Sequence, residues 1–569
     1  MKVPITLLLF AGFIATGFSQ DVQNQEVEVT APIGRIRGSF AESRLGRRFF
    51  SARGIRYGEP PIGENRFRQA IPAIPFDVFD ATKEGPSCPQ PGGVLQSEDC
   101  LRLNVYTPEL PSPGKPDVGK PVLVFFHPGG FYAFSAQSIS FGPEYLMDTD
   151  IVLVTVNYRL MSLGFMSTGD SQAPGNLGLK DQVEALRWIQ RNIAAFGGDP
   201  NCVTISGYSA GAWSVSLHLV SPMSKGLFHR AIAMSGSATT PENLGGHQRH
   251  LAVKQAEILD CPTDTTENMI ACLRTKPFEE FANSLGKFFE WYGLPILIWS
   301  PVVEPVVPGV ERFLTAEPTE LIRQGKAEKV PVMTGITKDE FAGVTVFWVE
   351  MSRNGNNSHF EDVDANWEEI APIIFQYQRG TPRSKEISRA LRTFYFKDQP
   401  VSLATVQGLA NLFRDSIIGF PVHRFAKLMS EVSPQPVYYY EVTYQGRYSH
   451  RVWNDTQKPY GVVHHDDLLY LFYLKSNFPY FKVDDPEYQT VKRMTTMWTT
   501  FAKTGNPIPA NNQDFENVTW EPLTPSNKKY LEIGDNLTMK TGLYAKENEE
   551  WDRLFPVAPA RNTKTSVKH

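Results

Sequence analysis

Ser209 stands in Gly207-Tyr208-Ser209-Ala210-Gly211, directly after the β-branched run Val203 to Ile205 and directly before the apolar segment Ala212 to Val220. Buried strand, tight turn and helix follow one another in that order. Small residues on both sides of a serine suit a strained strand-to-helix turn, because strand and helix approach closely there. Such a turn holds the hydroxyl out at the end of a sheet with a helix N-terminus behind it, where it can act as a nucleophile in acyl transfer. Five residues of these types also make an ordinary turn, so the chemistry depends on what else the chain supplies.

Acyl transfer makes a tetrahedral oxyanion, which needs N–H donors aimed at it. His127-Pro128-Gly129-Gly130-Phe131 follows the apolar run Val122 to Phe126. Pro128 has no N–H, so Gly129 and Gly130 are the donors on offer, joined by Ala210 as the residue after the serine; the alternative is a plain Gly-Gly turn. Of 11 histidines, His464 and His465 stand out in the polar turn Gly461 to Asp467, ahead of the apolar segment Leu468 to Phe472. Either could be the base. The alternatives are an exposed pair at a helix start capped by Asp466 or Asp467, or a zinc site, for which no third ligand is spaced helically from the pair. For the acid, Thr337-Lys338-Asp339-Glu340 lies just past a strand ending at Gly335. Asp339 or Glu340 could hold the imidazole tautomer there, or cap a helix. Serine, acid, histidine is the chain order of α/β-hydrolases.

The elements that must position these residues are legible as hydrophobic patterns. Val27 to Thr30 and Gly34 to Gly38 read as an edge hairpin, and Leu101 to Tyr106 alternates as a strand. Val122 to Phe126, Ile151 to Val156 and Val203 to Ile205 are continuous apolar runs, as a sheet buried on both faces requires. Leu179, Val183, Leu186, Ile189 and Ile193 recur at helical steps until Gly197-Gly198. Further strands are expected at Ala231 to Met234, Val330 to Gly335 and Val437 to Tyr444, and a late helix carries Val491, Met494, Trp498 and Phe501 on one stripe. Strands alternating with helices imply a mostly parallel, doubly wound α/β sheet.

The chain has 569 residues, of which 41% are hydrophobic, 21% charged and 12% aromatic, enough for a large core. No linker or low-complexity tract divides it, so residues 20–569 are read as one domain with long insertions and a polar tail from about 557. A formal net charge of -5 with both signs interspersed gives no basic face for nucleic acid. Lys2, the apolar core Ile5 to Ile14 and the small residues ending Gly17-Phe18-Ser19 fit a secretory signal over residues 1–19, cleaved near Ser19 or Gln20. A membrane anchor is the alternative, but the run is shorter than the roughly 20 apolar residues a span needs. Export also fits five cysteines. Cys88 and Cys100 bracket one short loop and Cys261 and Cys272 another, which suggests two local disulfides with Cys202 as a buried free thiol. An intermolecular bridge through Cys202 is the other possibility. The sequons at Asn356, Asn454, Asn517 and Asn536 are glycosylation acceptors if exposed.

Together these stretches resemble the type-B carboxylesterases of the cholinesterase-like family, most closely in the style of secreted insect esterases. Phe196 to Gly211 fits the family's serine signature, and Glu98-Asp99-Cys100-Leu101-Arg102-Leu103-Asn104-Val105 fits its second signature. Arg53 to Tyr57, Asn157-Tyr158-Arg159, Gly175 to Gln182 and Gly461 to His464 match as well, so the resemblance spans roughly Glu26 to Phe555. It implies an α/β-hydrolase fold with Ser209 as nucleophile, Glu340 rather than Asp339 as acid, and His464 as base. It also implies disulfides Cys88–Cys100 and Cys261–Cys272, structural ion pairs of Arg53 with Glu98 and Arg159 with Asp181, and Ser235 near the triad.

Departures narrow the expectation. The first disulfide loop, Cys88 to Cys100, has no aromatic residue, whereas cholinesterases carry a tryptophan there for the quaternary ammonium. Position 208 is Tyr, where cholinesterases have an acid and juvenile hormone esterases typically Gln. The reading is therefore a serine carboxylic-ester hydrolase for small to medium apolar esters, needing no metal or organic cofactor, secreted, with a small-molecule partner and an open oligomeric state. The competing readings are a non-catalytic adhesion protein, a juvenile hormone esterase and a lipase. Phe288 to Pro295 is an aromatic cluster that either lines a gorge or fills core.

Overall fold

The computed structural model describes residues 26–112, 119–510 and 515–557. The expected leader over residues 1–19 and nearly all of the expected polar tail lie outside them. Among the described residues thirteen strands form one sheet. They are β1 (Val27–Ala31), β2 (Gly34–Glu42), β3 (Arg48–Arg56), β4 (Val78–Asp80), β5 (Arg102–Thr107), β6 (Lys120–Phe126) and β7 (Val152–Val156), then β8 (Gly198–Tyr208), β9 (Arg230–Met234), β10 (Val332–Thr337), β11 (Val437–Val442), β12 (Lys529–Ile533) and β13 (Leu537–Thr541). The spatial order is β1-β2-β3-β5-β7-β6-β8-β9-β10-β11-β12-β13, with β4 beside β2. From β7 to β12 every neighbouring pair is parallel, and the outer ladders are antiparallel apart from β2–β4.

The continuous apolar runs are explained by the two faces they fill. Val122, Val124 and Phe126 of β6 join one core cluster while Leu123 and Phe125 join the other, and β7 divides in the same way. Helix Leu177–Asn192 covers the first face, burying Leu179, Val183, Leu186 and Ile189 in it. Helix Tyr488–Thr504 covers the second, with Val491, Met494, Trp498 and Phe501 inward. Each fully buried side chain of this size contributes roughly 1.5–3 kcal/mol. Between β10 and β11 the chain makes a long helical excursion, Gly343–Val432, much of which packs on its own cluster around Trp348 and Trp367.

Both expected disulfides are formed, Cys88–Cys100 and Cys261–Cys272. Cys202 is free but only partly buried. It lies near the start of β8, where its sulfur accepts from Arg230 Nη1 at 3.3 Å, so the expected buried thiol is corrected to a half-exposed one. The Arg159–Asp181 pair is present and buried, with Nε to Oδ2 at 2.7 Å and Nη2 to Oδ1 at 2.6 Å. The Arg53–Glu98 pair is not. The β3–β5 register slips between Ala52 and Ile55, and Arg53 turns away to Glu84 at 3.2 Å. Glu98 is held instead by Arg66, whose Nε lies 2.7 Å away and whose Nη1 also takes the carbonyls of Leu273, Arg274 and Lys276. The aromatic cluster resolves as core: Trp291 packs edge-on against Trp348 and Phe288 against Trp299, and only Tyr292 is exposed.

Candidate active site

The parallel strands deliver the singled-out residues to one place, the carboxyl ends of β6, β8 and β10. Ser209 is the residue after β8. Its backbone is at φ 54 and ψ -116, a strained position, and its N–H continues the ladder by donating to the Met234 carbonyl at 2.9 Å. Helix Ala210–His218 starts at the next residue. Glycine is obligatory beside it, since a Cβ on Gly211 would lie 2.0 Å from the Phe126 carbonyl oxygen and one on Gly207 would lie 2.3 Å from that of Gly211.

After β6 the chain turns through His127 to Phe131. Gly129 has φ 112, and a side chain there would run into the Ala133 carbonyl at 2.1 Å. The turn closes with hydrogen bonds from the N–H groups of Tyr132 and Ala133 to the Gly129 carbonyl. Tyr158 braces it, donating to the His127 carbonyl at 2.9 Å and stacking on the imidazole at 4.4 Å. Burial lowers the His127 pKa to about 4, so this imidazole is neutral.

Glu340 and His464 come from separate turns. The Glu340 carboxylate is wholly buried; Oε1 accepts the Thr337 N–H at 2.9 Å and Oε2 takes His464 Nδ1 in a short hydrogen bond. Phe341 stacks on the His464 ring at 4.3 Å. With Nδ1 engaged, the other ring nitrogen, Nε2, is buried and unpartnered. The alternatives left open by sequence now separate. Asp339 does not touch the imidazole: its N–H donates to the Val462 carbonyl and its Oδ2 accepts the Val462 N–H, both at 2.9 Å, so it clamps the histidine turn. His465 makes no carboxylate contact in the site; it opens a short 3₁₀ turn, Asp466–Tyr470, at φ 83. Burial and the neighbouring His464 push its pKa well below the usual range.

Ser209, His464, Gly129, Gly130 and Ala210 line one cavity of about 150 Å³. The rest of its wall is apolar and aromatic, including Phe131, Trp213, Leu297, Phe341, Ile417 and Ile418. Ile417 and Ile418 are carried by a π-helical turn, Asp415–Gly419, within the helical excursion. Sequence patterns did not reveal this wall, since a π turn leaves no periodic signature. Trp213, Leu297 and Ile417 also border a second, more polar cavity of about 140 Å³ that contains Glu242, Asn243 and Gln376. Ser235 lies just beyond β9 with φ 51 and its buried hydroxyl unpartnered. The four sequon asparagines, Asn356, Asn454, Asn517 and Asn536, are all exposed.

Comparison with known proteins bears on this geometry. The carboxylesterase family profile matches residues 25–551. The chain is 36% identical over 535 residues to Esterase FE4 of Myzus persicae, covering 91% of both chains. It is 33% identical over 550 residues to the juvenile hormone esterase of Tribolium castaneum, covering 92% of this chain and 91% of that one. The crystal structure of juvenile hormone esterase from Manduca sexta, with OTFP covalently attached, superposes with a TM-score of 0.82 at 29% identity, over 93% of this chain and 100% of that one.

Proposed function

The chain belongs to the carboxylesterase family, an ester hydrolase on an α/β-hydrolase fold, and from that premise we propose that Ser209, His464 and Glu340 are its catalytic triad. One observation carries the proposal: the strained Ser209 turn and the Glu340-bound imidazole of His464 open onto the same cavity as Gly129 and Gly130.

Mechanism follows from the proton positions. Glu340 holds Nδ1 of His464 and so leaves Nε2 as the base. Nε2 takes the Ser209 proton as Oγ attacks the ester carbonyl, and the N–H groups of Gly129, Gly130 and Ala210 receive the oxyanion. The imidazolium, stabilised by Glu340, returns the proton to the leaving alcohol. Water then repeats the sequence on the acyl-enzyme, with His464 again as base, and releases the acid.

The lining supports apolar esters of modest size, since it offers no carboxylate, lysine or arginine side chain. OTFP, covalently attached in the Manduca sexta relative, is expected to attach to Ser209 here. Residues 20–569 are taken as one domain after removal of a signal over 1–19, and the exposed sequon asparagines as glycan sites. The test is kcat/KM across acyl and alcohol lengths, with juvenile hormone included, on wild type and Ser209→Ala. Short apolar esters should be turned over by wild type alone; turnover retained in Ser209→Ala refutes the assignment.

A further inference from the structure

Tyr208 immediately precedes the nucleophile and is fully buried at the last position of β8. Its ring centroid lies 5.0 Å from each of the His464 and His465 rings. Its phenolic oxygen accepts the His465 backbone N–H at 2.8 Å. That N–H belongs to the peptide joining His465 to His464, so the bond links the strand carrying Ser209 to the backbone of the imidazole proposed as base. From the other side, Glu340 and Phe341 hold the same ring by hydrogen bond and stacking.

We infer that Tyr208 is a positioning residue: by anchoring the His465 amide, its phenolic oxygen sets the distance from His464 Nε2 to Ser209 Oγ. The inference rests on the triad proposed above. Glu340 and Phe341 fix the ring relative to β10, whereas the nucleophile rides on β8. Without a tie to β8, small shifts between the two turns change the separation of Nε2 from Oγ, and such misplacement falls directly on proton transfer.

Tyr208 sits beside Ser235 and Asp467, and the side-chain oxygens of both are without a hydrogen-bond partner. Asp467 is wholly buried, and burial with Glu340 nearby pushes its carboxyl well above the ordinary range. Burial likewise keeps the phenol itself protonated.

The experiment compares kcat/KM for p-nitrophenyl butyrate and ethyl butyrate in wild type, Tyr208→Phe and Tyr377→Phe, per active site titrated with paraoxon, and in Ser209→Ala per mole of chain. Ethoxide needs a proton from His464 to leave and p-nitrophenolate does not. Tyr208→Phe should therefore lose about tenfold on the activated ester and about a hundredfold on the ethyl ester. Tyr377→Phe removes another buried phenol, one bonded to Ser388 in the helical excursion, and should lower stability with an unchanged ratio of the two rates. A Tyr208→Phe ratio equal to wild type overturns the inference while leaving the triad intact, whereas activity in Ser209→Ala overturns the triad itself. Should Tyr208→Phe fail to fold, Tyr208→Gln, with an acceptor on a shorter arm, is read by the same ratio and must fall in the same direction.

Discussion

Asp339 and Val462 exchange backbone and side-chain hydrogen bonds at 2.9 Å across two turns that are distant in sequence, and this clamp brings Glu340 to His464. Adjacent carboxylates thus have different tasks. Asp339 fixes the turn; Glu340, one residue on, points inward to the imidazole.

The first prediction concerns Glu340. Glu340→Gln keeps the shape but removes the charge that stabilises imidazolium, and it can present the wrong hydrogen-bonding atom to Nδ1. By analogy with the aspartate of serine proteases, kcat should fall about 10³- to 10⁴-fold, with KM for p-nitrophenyl butyrate little changed. Steady-state kinetics on the purified variant decides it; a loss below tenfold contradicts the role given to Glu340.

Gly129 supplies the second. Gly129→Ala places a methyl against the Ala133 carbonyl and strains φ 112, so the turn must move and its N–H with it. Removal of one oxyanion donor costs about 10²- to 10³-fold. The expected loss is in the acylation rate measured by stopped flow, and an unchanged burst phase excludes Gly129 as a donor.

How much of this was legible in sequence follows from how local each signal is. The apolar runs of β6 to β8 and the glycines around Ser209 are determined by contacts within a few residues or by burial on two faces, and all were found within a few residues of their observed positions. The choice of Glu340 over Asp339 and of His464 over His465 was not local. It depends on how two turns meet, and in the sequence only the family resemblance points to it. The ion-pair partner of Glu98 was misassigned for the same reason: Arg66 reaches it from a loop anchored on helix Thr266–Thr275, and no spacing encodes that approach.

The third prediction is a pH dependence. Glu144 is largely buried, and burial raises its pKa to about 7 from an unfolded value of 4.5. Its folded pKa being the higher one, the folded state binds the extra proton, so its contribution is present below pH 4.5 and lost as pH rises through 7. Glu144→Gln should therefore gain stability relative to wild type on going from pH 5 to pH 8, by about 2 kcal/mol. Urea unfolding at both pH values measures it; an equal difference at both means the carboxyl is not perturbed.

Specificity gives the fourth. Trp213, Leu297 and Ile417 separate the Ser209 cavity from the neighbouring polar one. Ile417→Ala should open that wall and shift preference toward longer esters, by about 1–3 kcal/mol between butyrate and octanoate. Relative kcat/KM for p-nitrophenyl esters of increasing length reports the shift, and a uniform loss at all lengths would show that the wall does not select.

The central claim, that Ser209 is the nucleophile activated by His464, is tested most directly by covalent labelling with paraoxon followed by peptide mass spectrometry. The account predicts one diethylphosphoryl group per active chain, on the peptide containing Ser209, with labelling abolished in Ser209→Ala and slowed at least a hundredfold in His464→Ala. A label on another residue, or labelling at the wild-type rate in either variant, would contradict it.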